Sequence, residues 1–166
     1  MPLPCTIRPA TVDDLEAITS IALACFPHDY GARELAAEWH RAGLNAFPKT
    51  QYFVAVAHEG AVLGFVSWSC IGGFQSGVLE VEQLGVDPTA QGQGVGTKLL
   101  TATLERMRGF VRERAGRDLH IVKVDTGGNN AAQHLYQRTL GAEVEATLKD
   151  FHYGEDEVIM LKRYPE

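Results

Sequence analysis

Between Leu79 and Leu100 the chain reads LEVEQLGVDPTAQGQGVGTKLL. A strand-like run ends at the turn signal Asp87-Pro88. A glycine-rich segment, Gln91-Gly92-Gln93-Gly94-Val95-Gly96, then opens directly into the helix-forming Thr97-Lys98-Leu99-Leu100. The first turn of a helix carries backbone N–H groups with no intrahelical acceptor, and the helix dipole adds partial positive charge there. Glycines before and within that turn let the backbone come close to an anion. Strand, glycine loop and helix in this order make a phosphate-binding arrangement. Two common spellings of it do not fit. A dinucleotide loop is G-x-G-x-x-G, and although Gly92 and Gly94 match it, position 97 is Thr and the βαβ unit with its later acidic residue is missing. A Walker A loop ends in Gly-Lys, whereas Lys98 follows Thr97.

The spelling that does fit is Q-x-x-G-x-G followed by Thr, carried by Gln91, Gly94, Gly96 and Thr97. It resembles the acetyl-coenzyme A pyrophosphate loop of the GNAT superfamily of N-acetyltransferases. The preceding Val86-Asp87-Pro88 and the upstream Glu80 and Glu82 agree with that resemblance. So does a second block, Asn129-x-x-Ala132-x-x-Leu135-Tyr136, followed by Leu140-Gly141-Ala142. The family usually has Phe where this chain has Ala142, a departure that touches packing rather than chemistry. Ala132, Leu135 and Tyr136 share one side of a helix by their i, i+3 and i+4 spacing.

The resemblance implies acetyl-CoA as co-substrate and no metal. Pyrophosphate would lie on the backbone N–H groups of Gly92, Gly94, Gly96 and Thr97, with Gln93 and Val95 contributing amides. Main-chain groups of Leu84, Gly85 and Val86 would pair with pantetheine as an extra strand does, and Gly85 would tolerate a bulge there. Asn129 would hydrogen-bond the pantetheine arm, and Tyr136 would sit beside the thioester sulfur. The implied cofactor-binding set is therefore Leu84, Gly85, Val86, Gln91 to Thr97, Asn129, Ala132 and Tyr136.

The rest of the chain reads as one domain over residues 1–166. Thr6 to Pro9 is a first strand, and Thr11-x-x-Asp14 is a capping-box start for a helix that buries Leu15, Ile18, Ala22 and Cys25 and stops at Pro27. A second helix spans about 32–42 and ends at Gly43. Tyr30, Trp39, His40 and Phe47 in this region either fill the core or, by the resemblance, form one wall of the acceptor site. Tyr52 to His58 and Ala61 to Cys70 read as a hairpin around Glu59-Gly60. Val78 to Val86 is the central strand, and a long helix over about 94–113 carries Val95, Leu99, Leu104, Met107 and Val111 near one face. Leu119 to Val124 is a strand, 130–139 a short helix closed near Gly141, and Val144 to Tyr153 with Glu157 to Arg163 a final hairpin around Gly154. The expected fold is mixed α/β: a largely antiparallel sheet of six or seven strands, flanked by about four helices, with a split between the central strands as in the GNAT fold.

Composition narrows the partners. Fifteen Lys and Arg stand against 21 Asp and Glu, a net charge of −6. That balance argues against a nucleic-acid face and is compatible with a cationic substrate. No apolar run approaches the roughly 18–20 residues of a membrane span, and no basic-then-apolar leader is visible, so a cytoplasmic place is expected. Cys5, Cys25 and Cys70 are odd in number and widely spaced, and are expected to be reduced, buried thiols. A homodimer is possible.

The chemistry follows from the thioester. An aliphatic amine is an ammonium at pH 7 in all but about one molecule in a thousand, a barrier of about 4–5 kcal/mol. A carboxylate or a water relay must remove that proton. Glu82 and Glu80 share one strand face and are the candidate bases, Glu82 the favoured one. Tyr136, with an ordinary phenol pKa of about 10, would protonate the departing thiolate. The reading is direct N-acetyl transfer to a primary amine of a small molecule or peptide in a ternary complex. Two others stay open: a catalytically idle CoA-binding module, and transfer of a different acyl group or to an oxygen acceptor.

Overall fold

The computed structural model describes residues 1–165. Seven strands and four helices follow in the order β1 (Thr6–Pro9), α1 (Leu15–Cys25), α2 (Arg33–Asn45), β2 (Thr50–Val56), β3 (Val62–Ile71), β4 (Val78–Val86), α3 (Val95–Ala115), β5 (Ile121–Gly127), α4 (Ala132–Leu140), β6 (Glu143–His152) and β7 (Glu155–Arg163). The strands form one sheet in the order β1-β2-β3-β4-β5-β7-β6. The β1–β2, β5–β7 and β6–β7 pairs are antiparallel, and β4–β5 is parallel. The parallel ladder joins Val78–Val81 to Ile121–Val124 and stops there, although both strands run on. The sheet has seven strands, within the six or seven expected from the sequence, and is mixed, with the parallel pair among antiparallel ones.

The chain divides into two compact units: Met1–Trp68 with Gln83–Thr103, and Ser69–Glu82 with the chain from Leu104 onward. In the first unit, Ile18, Ile21, Ala22, Tyr52, Val54 and Phe65 form the core. Asp14 fixes the approach to α1. Its carboxylate accepts the Thr11 N–H at 2.8 Å and a two-point contact from the Arg8 guanidinium at 2.8 and 2.9 Å. The capping box forms, but it opens a single 3₁₀ turn, Val12–Asp14, which leads into α1. Leu15, Ile18 and Ala22 are buried as expected, whereas Cys25 is only half-buried. Cys5 is also half-buried, so of the three thiols Cys70 alone is buried outright.

Gly43 does not end α2, which continues to Asn45. A Cβ at Gly43 would lie 2.6 Å from the Tyr52 hydroxyl and 2.7 Å from its ring, so the glycine lets the helix approach β2. The buried stripe of α3 also differs from expectation. Thr103, not Leu104, continues the run Val95, Leu99, Met107 and Val111. The reason is Trp68. Its buried indole N–H needs an acceptor and finds Thr103 Oγ1 at 2.8 Å, while that hydroxyl donates to the Leu99 carbonyl at 2.6 Å.

In the second unit, side chains alternate along β5, with Val122, Val124 and Thr126 buried. Val81, Val124 and Met160 are direct partners across β4, β5 and β7, and all three are buried. β5 starts later than expected, at Ile121. The N–H groups of His120 and Ile121 both donate to the Gly77 carbonyl, at 2.8 and 3.2 Å. The loop before β4 is held at the C-terminal end of α3, where Phe74 meets Phe110 edge-on and Arg114 covers both rings. α4 closes at Gly141, whose φ of 68° is left-handed, as the sequence suggests. β6 is exposed along nearly its whole length, and its register with β7 slips between Val144 and Ala146 and again between Leu148 and His152. No helix among the described residues is long and apolar enough to cross a membrane.

Two predictions concern the first unit. Gly43→Ala should cost about 1–3 kcal/mol, because the added methyl must displace Tyr52; urea denaturation reads the loss. Arg8, by hydrogen bond, holds the Asp14 carboxyl below its ordinary value. The folded state therefore binds that proton less readily than the unfolded chain, and the contribution is present above the unfolded pKa and lost as pH falls through the folded one. Asp14→Asn should destabilise by about 1–2 kcal/mol at pH 7, and its difference from the parent protein should shrink below about pH 4.

Candidate functional site

The glycine loop lies in the first unit. Gly92 and Gly94 have φ of 74° and 82°, left-handed values open to glycine at no steric cost. The first helical bond of α3 runs from Lys98 N–H to the Gly94 carbonyl at 3.0 Å. The N–H groups of Val95, Gly96 and Thr97 therefore belong to the helix's open first turn. The loop is fixed on several sides. Asp87 accepts the Thr89 N–H at 2.9 Å and hydroxyl at 2.6 Å, which shapes the turn Pro88–Ala90. Gln93 donates to the Thr89 carbonyl at 3.0 Å. Leu3 N–H donates to the Gln93 carbonyl at 2.8 Å, and Lys98 Nζ reaches the Cys5 carbonyl.

The end of β4 adjoins this loop. Gln91 Nε2 donates to the Val86 carbonyl at 3.0 Å, and Cys25 Sγ donates to the same oxygen at 3.2 Å. In this structure the Gln91 side chain ties loop to strand. Gly85, expected as a place for a bulge, is required by packing: a Cβ there would lie 2.8 Å from the Phe65 ring and 3.1 Å from Ile21. The structure thus brings Leu84, Gly85 and Val86 together with Gln91 to Thr97.

A partly buried polar chain that the sequence does not announce ends on the same strand. Gln83 and the Tyr30 hydroxyl are bonded, with Nε2 at 2.6 Å and Oε1 at 2.9 Å. Tyr30 Oη is 3.2 Å from His40 Nε2, and His40 Nδ1 is 3.1 Å from Tyr52 Oη. His40 has no exposed surface, and burial pushes its pKa down to about 4, so the ring is neutral near pH 7. The aromatics of this region therefore divide. His40 is core and Tyr30 half-buried, but Trp39 and Phe47 are exposed.

The second unit holds the carboxylates and the phenol. Glu80 is the direct register partner of Lys123, and Lys123 Nζ lies 2.7 Å from Glu80 Oε1 and 2.5 Å from Asp125 Oδ2. Burial alone would lower the Lys123 pKa, but its hydrogen bonds to Asp125 and Glu80 outweigh burial and hold it above its ordinary value. Glu80 thus faces a permanent cation, while Glu82, two residues on, is exposed. Asp125 sits one residue past the last β4–β5 pair, and its Oδ1 is buried without a hydrogen-bond partner. Neither Lys123 nor Asp125 was signalled by any local motif.

Tyr136 is buried on α4, and burial raises its phenol to about 12. It stays protonated at neutral pH, but it is a weaker acid than the ordinary phenol that matches a thiolate. Asn129 is exposed ahead of α4 and Ala132 is half-buried. The helix begins at Ala132 rather than at Asn130, because Asn130 Oδ1 accepts the Ala132 N–H at 2.8 Å and turns the chain into it. The buried Cys70 thiol is raised by burial, which suits packing rather than nucleophilic work.

Comparison with known proteins gives a consistent picture. A family model described as "Acetyltransferase (GNAT) family" matches residues 15–142. The N-terminal acetyltransferase A complex catalytic subunit NAA10 of Arabidopsis thaliana is 31% identical over 164 residues, covering 94% of this chain and 76% of that protein. The mycothiol acetyltransferase of Salinispora tropica is 34% identical over 142 residues, covering 79% of this chain but only 41% of that longer protein. Among solved structures, the ribosomal-protein-alanine N-acetyltransferase of Brucella melitensis superposes with a TM-score of 0.72 at 25% identity, covering 96% of this chain and 99% of that one.

A side chain at Gly92 would meet nothing within 4 Å, so its requirement is conformational alone. Gly92→Ala and Gly94→Ala should each cost about 1–2 kcal/mol of loop geometry. Calorimetric titration with coenzyme A should show affinity weakened by about tenfold in each, with the thermal midpoint lowered by about 2–8 °C.

Proposed function

Since the chain belongs to the GNAT acetyltransferase family and is an N-acetyltransferase, we propose that it transfers the acetyl group of acetyl-CoA directly to a primary amine of a small molecule or peptide. The observation that carries this reading is the open first turn of α3 behind two left-handed glycines, which suits a diphosphate and no particular side chain. Backbone N–H groups from Gly92 to Thr97 hold the pyrophosphate. Main-chain groups of Leu84 to Val86 pair with the pantetheine arm and polarise the thioester carbonyl. Asn129 and Ala132 contact the same arm.

Glu82 is the base. Glu80 and Glu82 have the same chemistry, but the Glu80 carboxylate is already engaged by Lys123 Nζ at 2.7 Å. The exposed Glu82 is reachable by solvent and by an ammonium. After attack by the neutral amine, the C–S bond of the tetrahedral intermediate breaks, and the proton shed by the acylated nitrogen goes through solvent to the departing CoA sulfur, which leaves as the free thiol. Tyr136 donates a hydrogen bond to that sulfur, and its high pKa favours hydrogen bonding over full proton release.

The names of two matched proteins, an N-terminal acetyltransferase subunit and a ribosomal-protein-alanine N-acetyltransferase, favour a peptide α-amine as acceptor. An α-amine with pKa of about 8 also costs only about 1 kcal/mol to deprotonate at pH 7, far less than a lysine-like amine.

Incubating the protein with acetyl-CoA and an amine panel, peptides with free N-termini included, should release free thiol in step with acetylated amine. Tight CoA binding without amine-dependent thiol release from any of them would overturn the reading in favour of an idle CoA-binding module. Glu82→Gln should lower kcat/KM by about 10²-fold. Glu80→Gln should lower it less; the reverse order would move the base to Glu80.

A further inference from the structure

His40 is a buried titratable group that the transfer chemistry leaves without a role, and it lies on two separate lines to β4. One is polar. A neutral imidazole has one donor and one acceptor nitrogen, and both are used, towards Tyr30 and Tyr52. Gln83 Nε2 donates to Tyr30 Oη at 2.6 Å, the one proton of that hydroxyl lies between Gln83 Oε1 at 2.9 Å and His40 Nε2 at 3.2 Å, and His40 Nδ1 is 3.1 Å from Tyr52 Oη. The other line is apolar. The Phe65 ring meets His40 edge-on, with centroids 5.4 Å apart, and the same ring occupies the space where Gly85 would carry a side chain. The two lines end on residues 83 and 85, on either side of Leu84.

We propose that His40 is a positioning residue for acetyl transfer: through Tyr30 to Gln83, and through Phe65 to Gly85, it fixes the β4 backbone at Leu84–Val86 against which the thioester is held. This rests on the reading of that stretch as the thioester's partner. The brace has a clear physical purpose. Gln83 follows Glu82 directly in the chain, and the backbone from Gln83 to Val86 forms the end of β4, beyond the last pair with β5. A strand end without a ladder on one side needs side-chain anchors to hold its amides still. Displacements of about 1 Å in such donors cost on the order of 10²-fold in rate. Tyr52 closes the far end of the chain and is itself seated against Gly43 of α2.

The test uses the full chain in three variants: His40→Leu, His40→Gln, which keeps an amide donor and acceptor, and Tyr30→Phe, which keeps the ring and is the least disturbing to folding. His40→Leu should lower kcat about 10- to 100-fold with a smaller rise, about two- to fivefold, in the KM for acetyl-CoA, because the helix-end contacts to pyrophosphate remain while the pairing with pantetheine loosens. His40→Gln should recover part of that loss. Tyr30→Phe should lower kcat about three- to tenfold, and adding Gln83→Ala to it should cost nothing more, since both cut one chain. A parallel loss of kcat and CoA affinity, or full additivity of Tyr30→Phe and Gln83→Ala, would overturn the proposal.

A second readout does not depend on turnover. In nitrogen-edited NMR spectra, the His40 ring of the parent protein should show a single neutral tautomer. Tyr30→Phe should move both the ring nitrogens and the backbone amides of Leu84 and Val86. If those amides stay in place the brace does not exist, whatever the activity. If they move but the parent protein acetylates no amine, the brace stands and the functional reading is what fails.

Discussion

Backbone N–H groups that no helical carbonyl can reach are the constraint on which this protein turns. Every helix begins with them, and most cover them with a cap or leave them to water. Here α3 is entered from a loop whose two left-handed glycines keep side chains out of the way, and the loop is tied down by Asp87, Gln91, Gln93 and Leu3. The ties matter as much as the glycines. A flexible glycine loop would have to be ordered at the moment of binding, whereas one already hydrogen-bonded on several sides presents its donors in place. Gln91 has a double role in this. Its side chain links the loop to the end of β4, so the segment proposed to hold the diphosphate and the segment proposed to hold the thioester are one bonded piece.

Electrostatics separates two carboxylates that a pattern of residues cannot. Glu80 and Glu82 occupy equivalent positions two apart on a strand. What distinguishes them is the neighbour on the next strand: the parallel register sets Lys123 opposite Glu80. Lys123 itself is shared with Asp125, so one cation and two carboxylates form a compact group at the edge of the β4–β5 ladder.

The sequence is most legible where the requirement is local. The glycine loop, the capping box at Thr11–Asp14, the left-handed close of α4 at Gly141 and the strand limits of β1 and β4 are all set by residues within a few positions of each other, and the structure has them where the sequence puts them. It is least legible where a distant partner decides. A helical period locates the inner face of α3, but only the indole of Trp68, 35 residues away, explains why Thr103 lies on it instead of Leu104. Gly43 looks like a helix stop until Tyr52 is seen against it. Lys123 meets Glu80 across 43 residues, and Gln83 meets Tyr30 across 53. Nothing local marks either pair. His40 was visible as an aromatic of the α2 region, but its neutrality and its place in a bonded chain come from burial alone.

The slipped register of β6 bears on how this sheet ends. An outer strand of ten residues, bare on its far side, ordinarily presents a continuous row of backbone donors and acceptors that a passing chain could extend. Two interruptions, after Val144 and after Leu148, break that row into short pieces that no longer keep step with one another. Lysine and acidic side chains along the same strand add charge at the boundary. The sheet is therefore closed to further growth on this side by irregularity rather than by cover, and the exposed Val144 and Phe151 side chains can face water without recruiting a stranger's strand.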